Sequence, residues 1–158
     1  MPESLDLPDA LLQSPSFQIE RIRRATKDTV ETELTKRGTT MREFWVLTCT
    51  MTHAASQTQL SELLAIDASD MVRLIDSLET HGWVARERDT KDRRRQIIIP
   101  TKKGRKIQTD LASLVASAEE RALDDASNKQ LKHLRKLTKA ILNGHDAPAA
   151  AGAGAATE

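Results

Sequence analysis

Six stretches of the chain repeat apolar residues at helical spacing, and one pair of short segments has strand propensity instead. The first runs from Phe17 through Ile19, Ile22, Thr26, Val30 and Leu34, a narrow seam among charges. Ser14-Pro15 supplies its N-cap and first helical position, and Gly38 its stop. Thr40 with Glu43 has the spacing of a capping box and opens a second helix carrying Phe44, Trp45, Leu47, Thr48 and Met51. That face is broad enough to predict a place in the core. Ser56 with Gln59 repeats the signature ahead of Leu60, Leu63 and Leu64, which predicts a short third helix.

Asp67 with Asp70 gives a further capping signature, followed by the stripe Met71, Leu74, Ile75 and Leu78. Ser69, Asp70, Val72, Arg73, Asp76, Ser77 and Thr80 occupy the other side, and Gly82 behind His81 ends the helix. Two short helices joined by about three residues, the second with a polar outward face, form a helix-turn-helix pattern. Trp83 to Arg86 and Gln96 to Ile99 then read as two strands flanking a polar tip from Glu87 to Arg95, which extends the pattern to a winged helix. Thr101 can cap a fifth helix bearing Ile107, Leu111, Leu114, Val115 and Ala118. Ser127 or Asp125 can cap a sixth, with Leu131, Leu134, Leu137, Ile141 and Leu142, and Asn143-Gly144 is the expected stop. The first, fifth and sixth helices exceed what a minimal winged helix needs, and a second copy of the chain would cover their seams.

The fold expected is therefore mainly α with a small β-hairpin wing. It divides into an N-terminal arm at 1–13, flexible or packed on a partner, and a dimerisation helix at 14–38. The winged helix-turn-helix follows at 39–101, then C-terminal dimerisation helices at 102–143 and a disordered Ala-, Gly- and Pro-rich tail at 144–158. No internal repeat is visible. The 158 residues, 39% hydrophobic and 30% charged, suffice for one ordinary core. A single cysteine excludes an intramolecular disulfide framework. With no basic, apolar N-terminal leader and no apolar run of about 20 residues, neither secretion nor membrane insertion is expected. A reducing cytoplasm is the expected setting.

Charge changes the picture most. Residues 81–106 hold ten Lys or Arg against three acids, while the rest of the chain holds fourteen against twenty, for a net charge of only +1. A basic excess confined to a hairpin beside an amphipathic helix is the footprint of a phosphate-binding surface; taken alone, such a run is a solvated loop. The candidate wing contacts are Arg86, Arg88, Lys91, Asp92, Arg93, Arg94 and Arg95. Arg73 is the basic residue on the outward face of the reading helix, fit for bidentate pairing with guanine or for an ion pair with Asp70 or Asp76. Val72 suits a thymine methyl, and Ser69 and Ser77 suit bases or phosphates. Because Asp67, Asp70, Asp76 and Glu79 make this helix a poor phosphate binder, backbone donors near Ser56 and Gln57 are a further candidate.

Cys49 lies beside apolar positions, as a small buried hydrophobe or as a candidate redox sensor. His53, His81, His133 and His145 have no His or Cys neighbour at ligand spacing, so no metal is expected. Absence of a Gly-rich phosphate loop, a nucleophile elbow or HExxH argues against an enzyme and gives no reason to expect a cofactor.

The order of elements, with Ser77 to Gly104 reading SLETHGWVARERDTKDRRRQIIIPTKKG, resembles the MarR family of bacterial transcriptional regulators over roughly residues 15–143. The most specific part is Asp92-Arg93-Arg94 in the wing, followed by Thr101 and Gly104. The resemblance implies a homodimer built on the first, fifth and sixth helices. It implies a pseudo-palindromic duplex operator, with the fourth helix in the major groove and the wing in the minor groove. Arg94 matches the wing arginine and Asp92 the acid that holds it, while Ser69, Asp70, Val72, Arg73, Asp76 and Ser77 match groove-facing positions. A repressor released by a small-molecule effector or by oxidation is the expected function. A winged-helix protein-interaction module and a sequence-independent architectural DNA binder are the alternatives. Pro100 replaces the usual Leu, and since proline donates no ladder bond, the second strand should end there or lie at an edge.

Overall fold

The structure, a computed structural model, describes residues 6–145, and the expectations for 1–5 and 146–158 lie outside that range. The described residues fall into two compact units, one ending at Ala122 and one beginning at Leu123. In the first unit the order is α1 (Asp9–Leu12), α2 (Pro15–Thr35), α3 (Met41–Thr52), α4 (Gln57–Leu64), α5 (Ala68–Thr80), β1 (Val84–Arg88), β2 (Gln96–Pro100) and α6 (Lys102–Ala122). The second unit contains α7 (Asn128–His145).

Local rules place most helix ends. Ser56 and Gln59 form both halves of a capping box, at 3.2 and 3.0 Å. Gly82, at φ +74°, closes α5: its N–H donates to the Glu79 carbonyl at 2.8 Å, and the Trp83 N–H to the Leu78 carbonyl at 3.0 Å. The turn between α4 and α5 uses Ala65 at φ 51°, the one non-glycine residue with positive φ among the described residues. That conformation costs about 1 kcal/mol. It turns Ile66 inward, where burial of the side chain offsets the strain.

Two other capping boxes fail. Thr40 accepts the Glu43 N–H at 3.2 Å, but the Glu43 carboxylate turns inward to the hydroxyls of Thr39 at 2.7 Å and Ser77 at 2.6 Å. Asp67 makes no side-chain cap bond to a later N–H of α5, and Asp70 faces Arg42 and Arg73 instead. In both cases a charged or hydroxyl partner outcompetes a backbone donor that water can reach.

The wing is antiparallel, with Val84 opposite Pro100 and Arg88 opposite Gln96. Pro100 is the last residue of β2, as its missing donor requires. A feature the pattern did not reveal is a bridge from Ile98 to Ala55, whose carbonyl accepts the Ile98 N–H at 2.8 Å and ties the wing to the segment before α4.

In the core, Val30 and Leu34 of α2 join Val46 and Leu47 of α3, Leu60 of α4, and Met71, Ile75 and Leu78 of α5. Ala55, Ile66, Trp83, Val84, Ile98, Leu111, Val115 and Ala118 complete it. α2 lies along α6, and α3 packs on α5, α6 and β2. Only the C-terminal part of the α2 seam is buried; Ile19 and Ile22 are exposed. Trp45, expected in the core, is also exposed, because Val46 and Leu47 take the inward positions.

Several bounds differ from the sequence reading, β1 at Val84–Arg88 among them, and one open choice is settled. Residues 9–12 of the arm form a helical turn, with N–H groups of Leu11 and Leu12 donating to the Pro8 carbonyl. Ser127, not Asp125, starts α7, in a capping box with Gln130 at 2.8 and 3.2 Å. α7 then continues through Asn143-Gly144 to His145, since nothing there forces a left-handed residue. Within α7, Leu137, Ile141 and Leu142 are exposed.

Candidate nucleic-acid interface

On α5, Ser69, Val72 and Arg73 are exposed, and the Arg73 side chain retains 79% of its accessible surface. Its one ionic partner is Asp70 at 3.5 Å, and Arg42 of α3 approaches the other oxygen of the same carboxylate at 3.4 Å. Asp70 is thus shared, and Arg73 is held loosely. The Ser69 hydroxyl donates to Asp67 at 2.8 Å. That bond, followed by the pull of the nearby Ser69 and Ala68 amides, holds the Asp67 carboxyl below the usual aspartate range.

Two expected groove residues have other work. Ser77 is half-buried and donates to Glu43 at 2.6 Å, because its place beside Leu74 and Leu78 turns it toward α3. Asp76 is exposed but accepts from Arg86 at 2.6 Å. Arg86 itself, expected to serve DNA, is 22% exposed and clasps Glu79 at 2.6 Å with its other nitrogen. Its backbone N–H also donates to Glu79 at 3.2 Å. The charge pattern of Asp76, Glu79 and Arg86 would have revealed this trio, had the strand been folded back onto the helix in the reading.

At the wing tip the acids shape the turn. Asp89 accepts the Lys91 N–H at 2.9 Å, and Asp92 accepts the Arg94 N–H at 3.1 Å. Asp92 thus holds the backbone of Arg94 and leaves its guanidinium free. Arg88 donates to the Arg93 carbonyl at 3.2 Å. Among the described residues, no salt bridge engages Lys91, Arg93, Arg94 or Arg95. Arg95 donates to the Gln59 side-chain oxygen, which also accepts the Ser56 N–H. Ser56 therefore offers no free N–H, and the open backbone donors of α4 begin at Gln57.

Behind this face, Glu43 lies buried between Thr39 and Ser77, with His81 Nε2 at 3.8 Å and the His81 ring stacked on Trp83 at 4.2 Å. Partners 34 residues apart in sequence gave no local signal of this cluster. Cavities also open elsewhere in the first unit, two of them at the start of α2 and at the end of α3. One, about 440 Å³, is lined by Leu7, Leu12, Phe17, Gln18, Arg21 and Ile22. The other, about 250 Å³, lies between the end of α3, Pro100 and Arg105.

Cys49 is half-buried on α3, and burial pushes its thiol above the ordinary cysteine value. The thiolate is the reactive form, so this shift opposes oxidation at neutral pH. Alkylation should accordingly be slow at pH 7 and rise only above the pH at which a free cysteine peptide reacts. A rate profile against pH checks this; a midpoint below the peptide's would restore Cys49 as a redox candidate. No helix among the described residues is long and apolar enough to cross a membrane.

A model of the MarR family matches residues 37–95, which span α3, the helix-turn-helix and the wing up to its second strand. The chain is similar to CouR from Rhodococcus jostii, crystallised with p-coumaroyl-CoA, at 26% identity and a TM-score of 0.75, over 85% of this chain and 95% of that one. It is similar to the transcriptional regulator BldR from Sulfolobus solfataricus at 27% identity and a TM-score of 0.71, over 85% and 99%. A mutant of E. coli MarR complexed with operator DNA matches at 21% identity and a TM-score of 0.72, over 87% and 99%, a likeness of fold.

Proposed function

We propose that this chain is a MarR-family transcriptional regulator, two copies of which bind a pseudo-palindromic operator and repress transcription until a small molecule releases them. The observation that carries the reading is the wing tip: Lys91, Arg93 and Arg94 are exposed and, among the described residues, in no salt bridge, beside an α5 face that presents Ser69, Val72 and Arg73. Arg73 and Val72 read bases, the wing cations and the Gln57 N–H engage phosphates, and Arg94 reaches the minor groove. In this reading residues 39–101 form the DNA-binding region. Residues 14–38 and 102–143 form the dimer interface, which covers the exposed Ile19, Ile22, Leu137, Ile141 and Leu142. The setting is the bacterial cytoplasm, at the nucleoid. A small-molecule effector fits better than oxidation, because the Cys49 thiol is shifted away from reactivity. CouR bound to p-coumaroyl-CoA supports the same choice.

The test is titration of the protein with the duplex upstream of its own coding sequence and with an unrelated duplex of equal length, at several salt concentrations. Three free wing cations per lobe, six per dimer, predict a salt slope of about −5 for operator binding. The upstream duplex is expected to bind more tightly at moderate salt. Equal affinity for both duplexes would favour the architectural alternative, and a slope near zero would favour a protein-interaction module.

A further inference from the structure

We propose that Arg86 is a positioning residue: by clasping Asp76 and Glu79 it fixes the angle between the wing and α5, and so the distance between the major-groove and minor-groove contacts. This rests on the DNA-binding reading for its consequence, although the clasp itself is a property of the free protein.

Arg86 lies in β1, opposite Ile98 of β2, while Asp76 and Glu79 lie one helical turn apart on α5. Its two terminal nitrogens reach separate carboxylates at 2.6 Å each, and its backbone N–H holds the second oxygen of Glu79. One residue of the wing is therefore bonded three ways to the reading helix. Planar guanidinium geometry makes such a fork directional, so it fixes orientation as well as distance. Without it, β1 is joined to α5 by His81, Gly82 and Trp83, a short link with a left-handed glycine at its centre, and its orientation on α5 is left to that link and to the distant tie of β2 at Ala55. The other strand, β2, is tied through Ile98 to Ala55 ahead of α4, and Arg95, just before it, donates to Gln59 of α4. The wing is thus anchored on one side to α5 through Arg86 and on the other to α4 and the segment before it.

The alternative role, a phosphate contact by Arg86, predicts the opposite sign when the acids are removed. Asp76→Ala with Glu79→Ala takes two negative charges per lobe away from the DNA side and frees Arg86. Were Arg86 a phosphate ligand, that variant would bind every duplex more tightly and with a steeper salt slope. A positioning role predicts that operator affinity falls about tenfold as wing contacts are lost, with no loss on an unrelated duplex. Arg86→Ala should move operator affinity in the same direction. Hydroxyl-radical footprints should lose the wing's minor-groove protection and keep that of α5.

Amide hydrogen exchange of the free protein supplies a readout independent of DNA. Exchange in residues 84–88 and 96–100 should accelerate in both variants while α2, α3 and α6 stay as protected as in the parent. Unchanged wing exchange would overturn the clasp. Faster exchange with tighter DNA binding would overturn its role in positioning. Absence of operator preference in the parent protein would refute the DNA-binding reading, and the exchange data would still judge the clasp.

Discussion

Replacing Gly104 by Ala is expected to lower the melting temperature by about 10 °C, because among the described glycines it alone meets backbone where a Cβ would stand. A Cβ at Gly104 would stand 1.9 Å from the Trp83 carbonyl oxygen, 2.7 Å from its carbon and 3.0 Å from the Trp83 Cα. All three are backbone atoms, so no rotamer relieves the clash. That carbonyl also accepts the Thr101 N–H at 2.9 Å, and the Thr101 hydroxyl caps Gly104 at 2.9 Å while donating to the Gly82 carbonyl at 2.6 Å. The first turn of α6 and the end of α5 are therefore fastened at one point. Lifting α6 to admit a methyl group breaks that fastening and draws Leu111 away from the core. We expect a cost on the order of 3 kcal/mol. Helix propensity alone predicts the reverse, a gain of about 1 kcal/mol for Ala over Gly. Gly144 of α7 has nothing within 4 Å of its virtual Cβ, so Gly144→Ala serves as the control that should not lose stability. Thermal melting by circular dichroism decides between the two effects; a Gly104→Ala protein that melts at or above the parent temperature would show that the close approach is not rigid.

The elements legible in the sequence were those settled within one turn of chain. Ser56 with Gln59, Gly82 after His81, and Met71-Leu74-Ile75-Leu78 each involve partners three or four residues apart, and each formed as the spacing required, Leu74 half-buried beside its three buried neighbours. Thr101 capping Gly104 formed likewise. What a helical wheel could not decide was the fate of polar residues near the edge of a face. Asp70 turned to Arg42, Ser77 to Glu43, and Asp76 to Arg86, the nearest of these partners being ten residues away in sequence. Each of those outcomes depends on how α3 and β1 cross α5, which periodicity does not encode. The candidate interface shrank accordingly: Ser69, Val72 and Arg73 remain outward on the helix, and Lys91, Arg93 and Arg94 remain unpaired on the wing. The N-terminal seam of α2 was read correctly as apolar, yet Ile19 and Ile22 lie exposed, because what would cover them is outside a single chain's own fold in the proposed dimer.

Arg73→Ala and Arg94→Ala are expected to separate recognition from adhesion. Arg73 is the outward cation of α5, and its one restraint is a 3.5 Å pairing with an Asp70 that Arg42 also holds. Transfer from Asp70 to a guanine edge therefore leaves the carboxylate still partnered, so the exchange does not strand a charge. Loss of a bidentate arginine contact costs about 1–3 kcal/mol per half-site, or about 2–6 kcal/mol for a symmetric dimer. Operator affinity should thus fall by roughly thirtyfold to twenty-thousandfold, while affinity for an unrelated duplex changes little. Arg94 differs, because its N–H is fixed by Asp92 and its guanidinium has no salt-bridge partner among the described residues. Arg94→Ala should weaken operator and unrelated duplex alike and reduce the steepness of the salt slope by about 2 per dimer. Titrations of both variants on both duplexes at several salt concentrations check the pair together. Equal losses of specificity would place base readout in the wing. An Arg73→Ala slope as shallow as that of Arg94→Ala would make Arg73 a phosphate ligand, and α5 would then have to read its operator through Val72 and Ser69.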